Sequence, residues 1–119
     1  MDLMIVDDSM IIRNKIKRSL DSFHLKIVGV AKNGVEAVSL MESTRPQIAT
    51  MDLTMPEMDG IECIQELMKI NPNIIILVVS ALSDKSTAIQ ALKLGAQGFL
   101  CKPFTEDELT TALSKLINR

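Results

Sequence analysis

The chain has no tryptophan and no tyrosine, only three phenylalanines, two cysteines and one histidine in 119 residues. Large rigid side chains are scarce, and eight methionines stand in as adaptable core filler. Cys63 and Cys101 lack metal-ligand spacing, and His24 is far from both in sequence, so nothing marks a soft-ligand metal site. Two reduced thiols acting as small apolar residues are expected. An excess of either charge is missing too. A formal net charge of −2 gives no general attraction for nucleic acid or an anionic membrane. No apolar run approaches the roughly 20 residues of a membrane span. The N-terminus, with Asp2 before the short run Leu3 to Val6, is unlike a signal peptide. These absences predict a cytoplasmic protein of one domain, residues 1–119, with a single unstapled core.

What is present is a strict alternation. Leu3 to Val6 is continuously apolar, as for a strand covered on both faces, and Asp7-Asp8-Ser9 stops it and caps a helix. Ile12, Ile16 and Leu20 form that helix's apolar stripe, leaving Arg13, Lys15, Lys17 and Arg18 to the other faces. His24 falls in the loop after it, at the surface. Leu25 to Ala31 is a second strand, and Asn33-Gly34 feeds a helix that ends at Arg45-Pro46. Gln47 to Asp52 is a third strand, and Asp59-Gly60 opens a helix with Ile61, Ile64, Leu67 and Met68 on one face. Ile74 to Val79 is rich in β-branched residues and reads as a buried central strand ending at Ser80. Ser83-Asp84 caps a fourth helix closed by Gly95, and Gln97 to Lys102 is a short fifth strand. Thr105 with Glu108 forms a capping box for a last helix to about Ile117. This alternation predicts an α/β fold, a (βα)5 doubly wound parallel sheet with helices on both faces.

In such sheets ligands bind beyond the carboxyl ends of the strands, where Asp7, Asp8, Asp52, Ser80 and Lys102 all fall. Singly, each has a plain explanation as a cap, a strand end or a solvated charge. Together, three carboxylates on one rim repel unless a cation intervenes. Hard oxygen donors without soft partners suit Mg²⁺. A carboxylate beside that ion, with a lysine and a hydroxyl nearby, is equipped to attack a phosphoryl group. Asp52 is the natural nucleophile, since it heads the loop to Gly60 opposite the acid pair.

The segments Ile5-Val6-Asp7-Asp8-Ser9, Met51-Asp52-Leu53-Thr54-Met55-Pro56-Glu57-Met58-Asp59-Gly60, Ser80-Ala81 and Lys102-Pro103-Phe104 resemble the receiver domain of two-component response regulators, most closely the single-domain chemotaxis type. The resemblance covers essentially the whole chain. It implies a five-stranded sheet of order 2-1-3-4-5, the flavodoxin-like arrangement. It implies that Asp52 accepts the phosphoryl group, that Asp8 ligates Mg²⁺ directly and Asp7 largely through water, and that the Thr54 backbone carbonyl completes the metal shell. Lys102 then pairs with the acyl phosphate, Ser80 is the switch hydroxyl, Phe99 the aromatic switch, and Pro103 follows a cis peptide. The implied partners are a histidine kinase or phosphotransfer protein and a downstream protein target. That target would be bound through the fourth helix, fifth strand and fifth helix, at Ile89, Lys93 and Phe99. Ile11-Ile12, with Arg13, is a candidate dock for the phosphoryl donor. The protein is expected to be a monomer or weak dimer.

Three features depart from the common pattern. Phe99 has no hydroxyl, Leu53 replaces a larger aromatic, and Thr54 and Leu82 occupy positions that resemble those tuning water access to the phosphoryl group. Two rival readings remain at this level. A Mg²⁺-dependent aspartyl phosphatase needs a second acid two residues after the nucleophile, where Thr54 stands. A receiver-fold scaffold that is never phosphorylated fits poorly with a complete acid set.

Overall fold

Five strands alternate with five helices among the described residues: β1 (Asp2–Val6), α1 (Met10–Ser19), β2 (Lys26–Ala31), α2 (Gly34–Thr44), β3 (Ile48–Met51), α3 (Gly60–Ile70), β4 (Ile75–Ala81), α4 (Lys85–Lys93), β5 (Gly98–Lys102) and α5 (Glu106–Ile117). The structure is a computed structural model that describes residues 1–20, 24–81 and 85–118. All neighbouring strands run parallel, in the order β2-β1-β3-β4-β5. This is the order that the resemblance implied.

Successive strand side chains point to opposite faces, so each central strand feeds two cores. Met4, Val6, Ala49, Met51, Ile76 and Val78 pack under α2, α3 and α4, with Met41, Cys63, Ile64 and Leu67. Leu3, Ile5, Ile48, Leu77 and Val79 pack under α1 and α5, with Ile16, Leu20, Phe104, Leu109 and Leu113. Both faces being covered explains why these strands read as unbroken apolar runs rather than alternating ones.

Helix starts follow side-chain caps. Ser9, Asn33, Asp59 and Thr105 each accept a hydrogen bond from the backbone N–H three residues on. At Thr105 the Glu108 carboxylate also returns to the Thr105 N–H, completing the predicted box. Gly95 has φ +125° after α4, where only glycine is unstrained. The predicted Ser83-Asp84 cap lies outside the described residues.

Besides β2 starting at Lys26 and β3 spanning Ile48–Met51, three details differ from the sequence reading. Strand β4 runs one residue past Ser80, so that Ser80 is fully buried inside the strand. Strand β5 starts at Gly98, and Gln97 before it pairs with the neighbouring chain both through its N–H, which donates to the Ile76 carbonyl (3.0 Å), and through its side chain. Its Oε1 accepts from Ile76 N (2.7 Å) and its Nε2 donates to the Ile74 carbonyl (3.0 Å). Arg13 and Lys15 are half-buried rather than purely solvent-facing.

Thr50 is a further oddity of the core. It lies in register with Ile5 and Leu77 of the α1/α5 cluster, is 1% exposed, and its Oγ1 finds no hydrogen-bond partner. A buried unmade hydrogen bond costs about 1–3 kcal/mol. Thr50→Val, which keeps the branch and removes the hydroxyl, is therefore expected to stabilise the domain by about 1 kcal/mol. Thermal unfolding followed by circular dichroism should show a midpoint a few degrees higher, of the order of 4 °C. An unchanged or lower midpoint contradicts this.

Candidate functional site

Parallel strands whose chains turn off at one edge leave their next residues clustered there. Asp7 and Asp8 follow β1, Asp52 follows β3, and Lys102 closes β5. The neighbouring order β1-β3 brings Asp7 and Asp52 together, and Asp52 N–H donates to the Val6 carbonyl (2.9 Å) to fix the height of the second acid. One carboxylate oxygen from each of Asp7, Asp8 and Asp52 lies within 4.8 Å of the others. Asp7 and Asp52 are 1% and 4% exposed, whereas Asp8 is open to solvent.

Lys102 crosses the sheet edge to meet them. Its Nζ is 3.0 Å from Asp7 Oδ2 and 3.5 Å from Asp52 Oδ1. Asp7 Oδ1 accepts the Ser9 N–H (2.9 Å), while Oδ2 is buried and has no other partner. Arg13 Nη1 donates to the Asp7 main-chain carbonyl (2.8 Å), bracing the acid segment from α1. The Thr54 N–H approaches Asp52 Oδ1 at 3.4 Å.

The electrostatics follow from crowding. Burial pushes the Asp52 carboxyl up from 3.8, and the Asp7 charge pushes it further; Lys102 and the Thr54 N–H pull it back, and the hydrogen bond that protonated Asp52 donates to Asp8 raises it again, leaving it at about 7. For Lys102, burial favours the neutral amine, but the hydrogen bond to Asp7 and the charges of Asp52 and Asp7 outweigh it, so its pKa is raised. The lysine is thus a fixed positive charge at neutral pH. Cys63, buried in α3, is pushed up to about 12 by burial and then by Asp59, Glu66 and Glu62. It is an inert thiol, as the sequence suggested.

This donor set suits a hard divalent cation. It offers carboxylate oxygens only, one of them buried with a single ammonium for company, and a crowded Asp52 whose charge a cation would stabilise.

Residues 3–114 match the response regulator receiver domain family. The chain belongs to that family. It is 42% identical over 114 residues to a chemotaxis protein CheY of Thermotoga maritima, covering 96% of this chain and 95% of that one. With a chemotaxis protein CheY of Bacillus subtilis it shares 38% over 116 residues, covering 98% and 97%. Among solved structures, a CheX–CheY–BeF3–Mg²⁺ complex from Borrelia burgdorferi superposes with a TM-score of 0.92 at 29% identity, covering 98% of this chain and 88% of that one.

Within this receiver domain the remaining candidate residues fall around the acids. Ser80 pairs in register with Cys101, and Ala81 with Lys102, so Ser80 sits one residue back from the ammonium. Phe99 is half-buried and lines a groove of about 370 Å³ with Lys85, Ala88, Ile89, Leu92 and Cys101. The Lys102–Pro103 peptide is cis. Thr54 is exposed and Ile11 is 79% exposed at the start of α1. No described helix is long and apolar enough to cross a membrane. Sequence reading missed Arg13 as a brace for Asp7. Its only signal was a cation six residues after the acid, and the helical pattern had assigned that position to solvent.

Proposed function

We propose that this domain is a cytoplasmic signalling switch that takes a phosphoryl group onto Asp52 from a histidine kinase or phosphotransfer protein. The observation that carries this reading is the convergence of Asp7, Asp8 and Asp52 with the Lys102 ammonium placed on two of the three acids. A purely structural ion pair needs one carboxylate, and burying two acids against one lysine is costly without a further purpose.

In the reaction, an Asp52 carboxylate oxygen attacks phosphorus. The new bond is O–P; the bond from phosphorus to the donor's nitrogen or acyl oxygen breaks and its electron pair leaves with the donor. Lys102 stays protonated and contributes charge to the transferring oxygens, not a proton. Mg²⁺, held by Asp7, Asp8, Asp52 and the Thr54 carbonyl, would neutralise negative charge on the acids and on the phosphoryl oxygens. Asp52 must be ionised to attack; burial and the Asp7 charge oppose that, and a cation held among the acids would favour it.

The phosphoryl group adds roughly −1.5 to −2 charge and several acceptors at the rim. Ser80 and Lys102 gain partners there, and Phe99 with Ile89 and Lys93 carries the change to the face of α4, β5 and α5 for a downstream protein. Of the expected donor dock, Ile11 is exposed at the start of α1 with Met10 before it and suits the role, while Ile12 and Arg13 are half-buried. Turnover of a separate small substrate is not part of this reading. Thr54 offers no general acid.

Trifluoroberyllate mimics a phosphoryl group on a carboxylate. Fluorine NMR should show a bound signal in the wild type with Mg²⁺, lost with chelator and in Asp52→Asn. A signal that survives Asp52→Asn would displace Asp52 as the acceptor.

A further inference from the structure

Lys15 lies on α1, outside the acid cluster. Its ammonium nevertheless donates to the main-chain carbonyl of Phe104, 89 positions away in sequence, and sits 4.5 Å from the centroid of the Phe104 ring. It pairs with no carboxylate among the described residues. A half-buried cation held by a carbonyl and a ring face is fixed in place, unlike a solvated lysine.

Phe104 belongs to the short connection between Lys102 and Thr105, the N-cap of α5. Its ring is 2% exposed in the α1/α5 core. The first carbonyl used by the α5 ladder is that of Thr105, which accepts from Leu109 N, so the Phe104 carbonyl lies outside the helix and needs its own donor. Lys15 supplies it. Helix α1 therefore grips the main chain on both sides of the acid–ammonium pairs. Arg13 holds the segment bearing Asp7, and Lys15 holds the segment bearing Lys102.

We propose that Lys15 is a positioning residue for Lys102: by holding the Phe104 carbonyl it sets how far the ammonium reaches over Asp52, and with it the rate of phosphoryl transfer. This rests on the reading of Asp52 as phosphoacceptor. Lys15 acts through the main chain of residues 102–104 and is not itself a catalytic residue.

The test pairs a spectroscopic arm with a kinetic one, on the full chain. Lysine side-chain CεH₂ NMR signals, with Lys102 assigned by Lys102→Arg, report the ammonium's surroundings without any phosphoryl chemistry. In Lys15→Met the Lys102 signals should move toward those of a free lysine. Labelling by acetyl phosphate with Mg²⁺ should slow about tenfold, since small misplacements of a reacting group have effects of that size or larger. Lys15→Arg, which retains a cationic donor, should keep both near wild type. In a Lys102→Ala background, Lys15→Met should add no further slowing. Unmoved Lys102 signals in a folded Lys15→Met protein would overturn the proposal, as would slowing that persists undiminished without Lys102. If Lys15→Met does not fold, Lys15→Leu, which likewise lacks a donor, carries the same comparison. If the wild type takes no phosphoryl group, the phosphoacceptor reading fails, while the NMR arm still decides whether Lys15 places Lys102.

Discussion

In metal-free buffer at pH 8, Asp52→Asn should unfold at a higher temperature than the wild type. In the unfolded chain the carboxyl titrates near 3.8, and in the folded domain at about 7. Between those values the folded state holds a proton that the unfolded state has lost. Stability therefore falls as pH rises through this window, and the loss is complete above about pH 7. The interval is worth at most about 4 kcal/mol at roughly 1.4 kcal/mol per pH unit. Asparagine is neutral throughout, keeps the shape, and should flatten the profile between pH 4 and 7. Adding Mg²⁺ at pH 8 should raise the wild-type midpoint and leave Asp52→Asn nearly unmoved, because a ligand stabilises only the state that binds it. Thermal unfolding at several pH values, with and without the metal, checks both expectations. A wild type that gains stability from pH 5 to pH 8 in chelator would contradict the crowded-acid description.

Gly60→Ala should damage both fold and site. A Cβ at this first residue of α3 would run into the Asp52 carbonyl oxygen and lie 2.6 Å from Leu53 Cα. Both are backbone atoms, so no side chain can swing aside. Gly60 N–H also donates to the Leu53 carbonyl (3.0 Å), which ties the helix start to the segment carrying Asp52. Overpacking of this kind costs about 3 kcal/mol. The displaced segment holds Asp52, so phosphoryl uptake should fall by more than the folded fraction explains. Urea titration gives the stability and acetyl phosphate labelling the uptake, both read on the same protein. Wild-type values in both would mean that the close approach of α3 to β3 has no functional weight.

Much of this fold is legible because local and global preferences agree. Unbroken apolar runs at Leu3 to Val6 and Ile74 to Val79 announce strands covered on both faces, and Ser9, Asn33, Asp59 and Thr105 mark helix starts by side-chain chemistry alone. The acids were legible for a related reason. A charge that ends an apolar run must sit where the strand leaves the core, and a parallel sheet gathers such ends on one edge. What stayed hidden depends on contacts distant in sequence. The strand-like pairing of the Gln97 side chain with Ile74 and Ile76 needs the β4–β5 register to exist first. Arg13 and Lys15 look like ordinary polar-face cations until α1 is laid against the Asp7 segment and the Lys102–Thr105 connection. The lone Thr50 hydroxyl reads as a β-former in a strand, and its missing partner shows only in the packed core.

The central claim is that phosphoryl chemistry happens at Asp52, and one measurement addresses it most directly. The protein is incubated with acetyl phosphate and Mg²⁺, reduced with borohydride to convert any aspartyl phosphate to homoserine, digested, and sequenced by mass spectrometry. The account predicts homoserine at position 52 alone, absent when chelator replaces Mg²⁺. Homoserine at Asp7 or Asp8, or unmodified peptide throughout despite a folded protein, would contradict it.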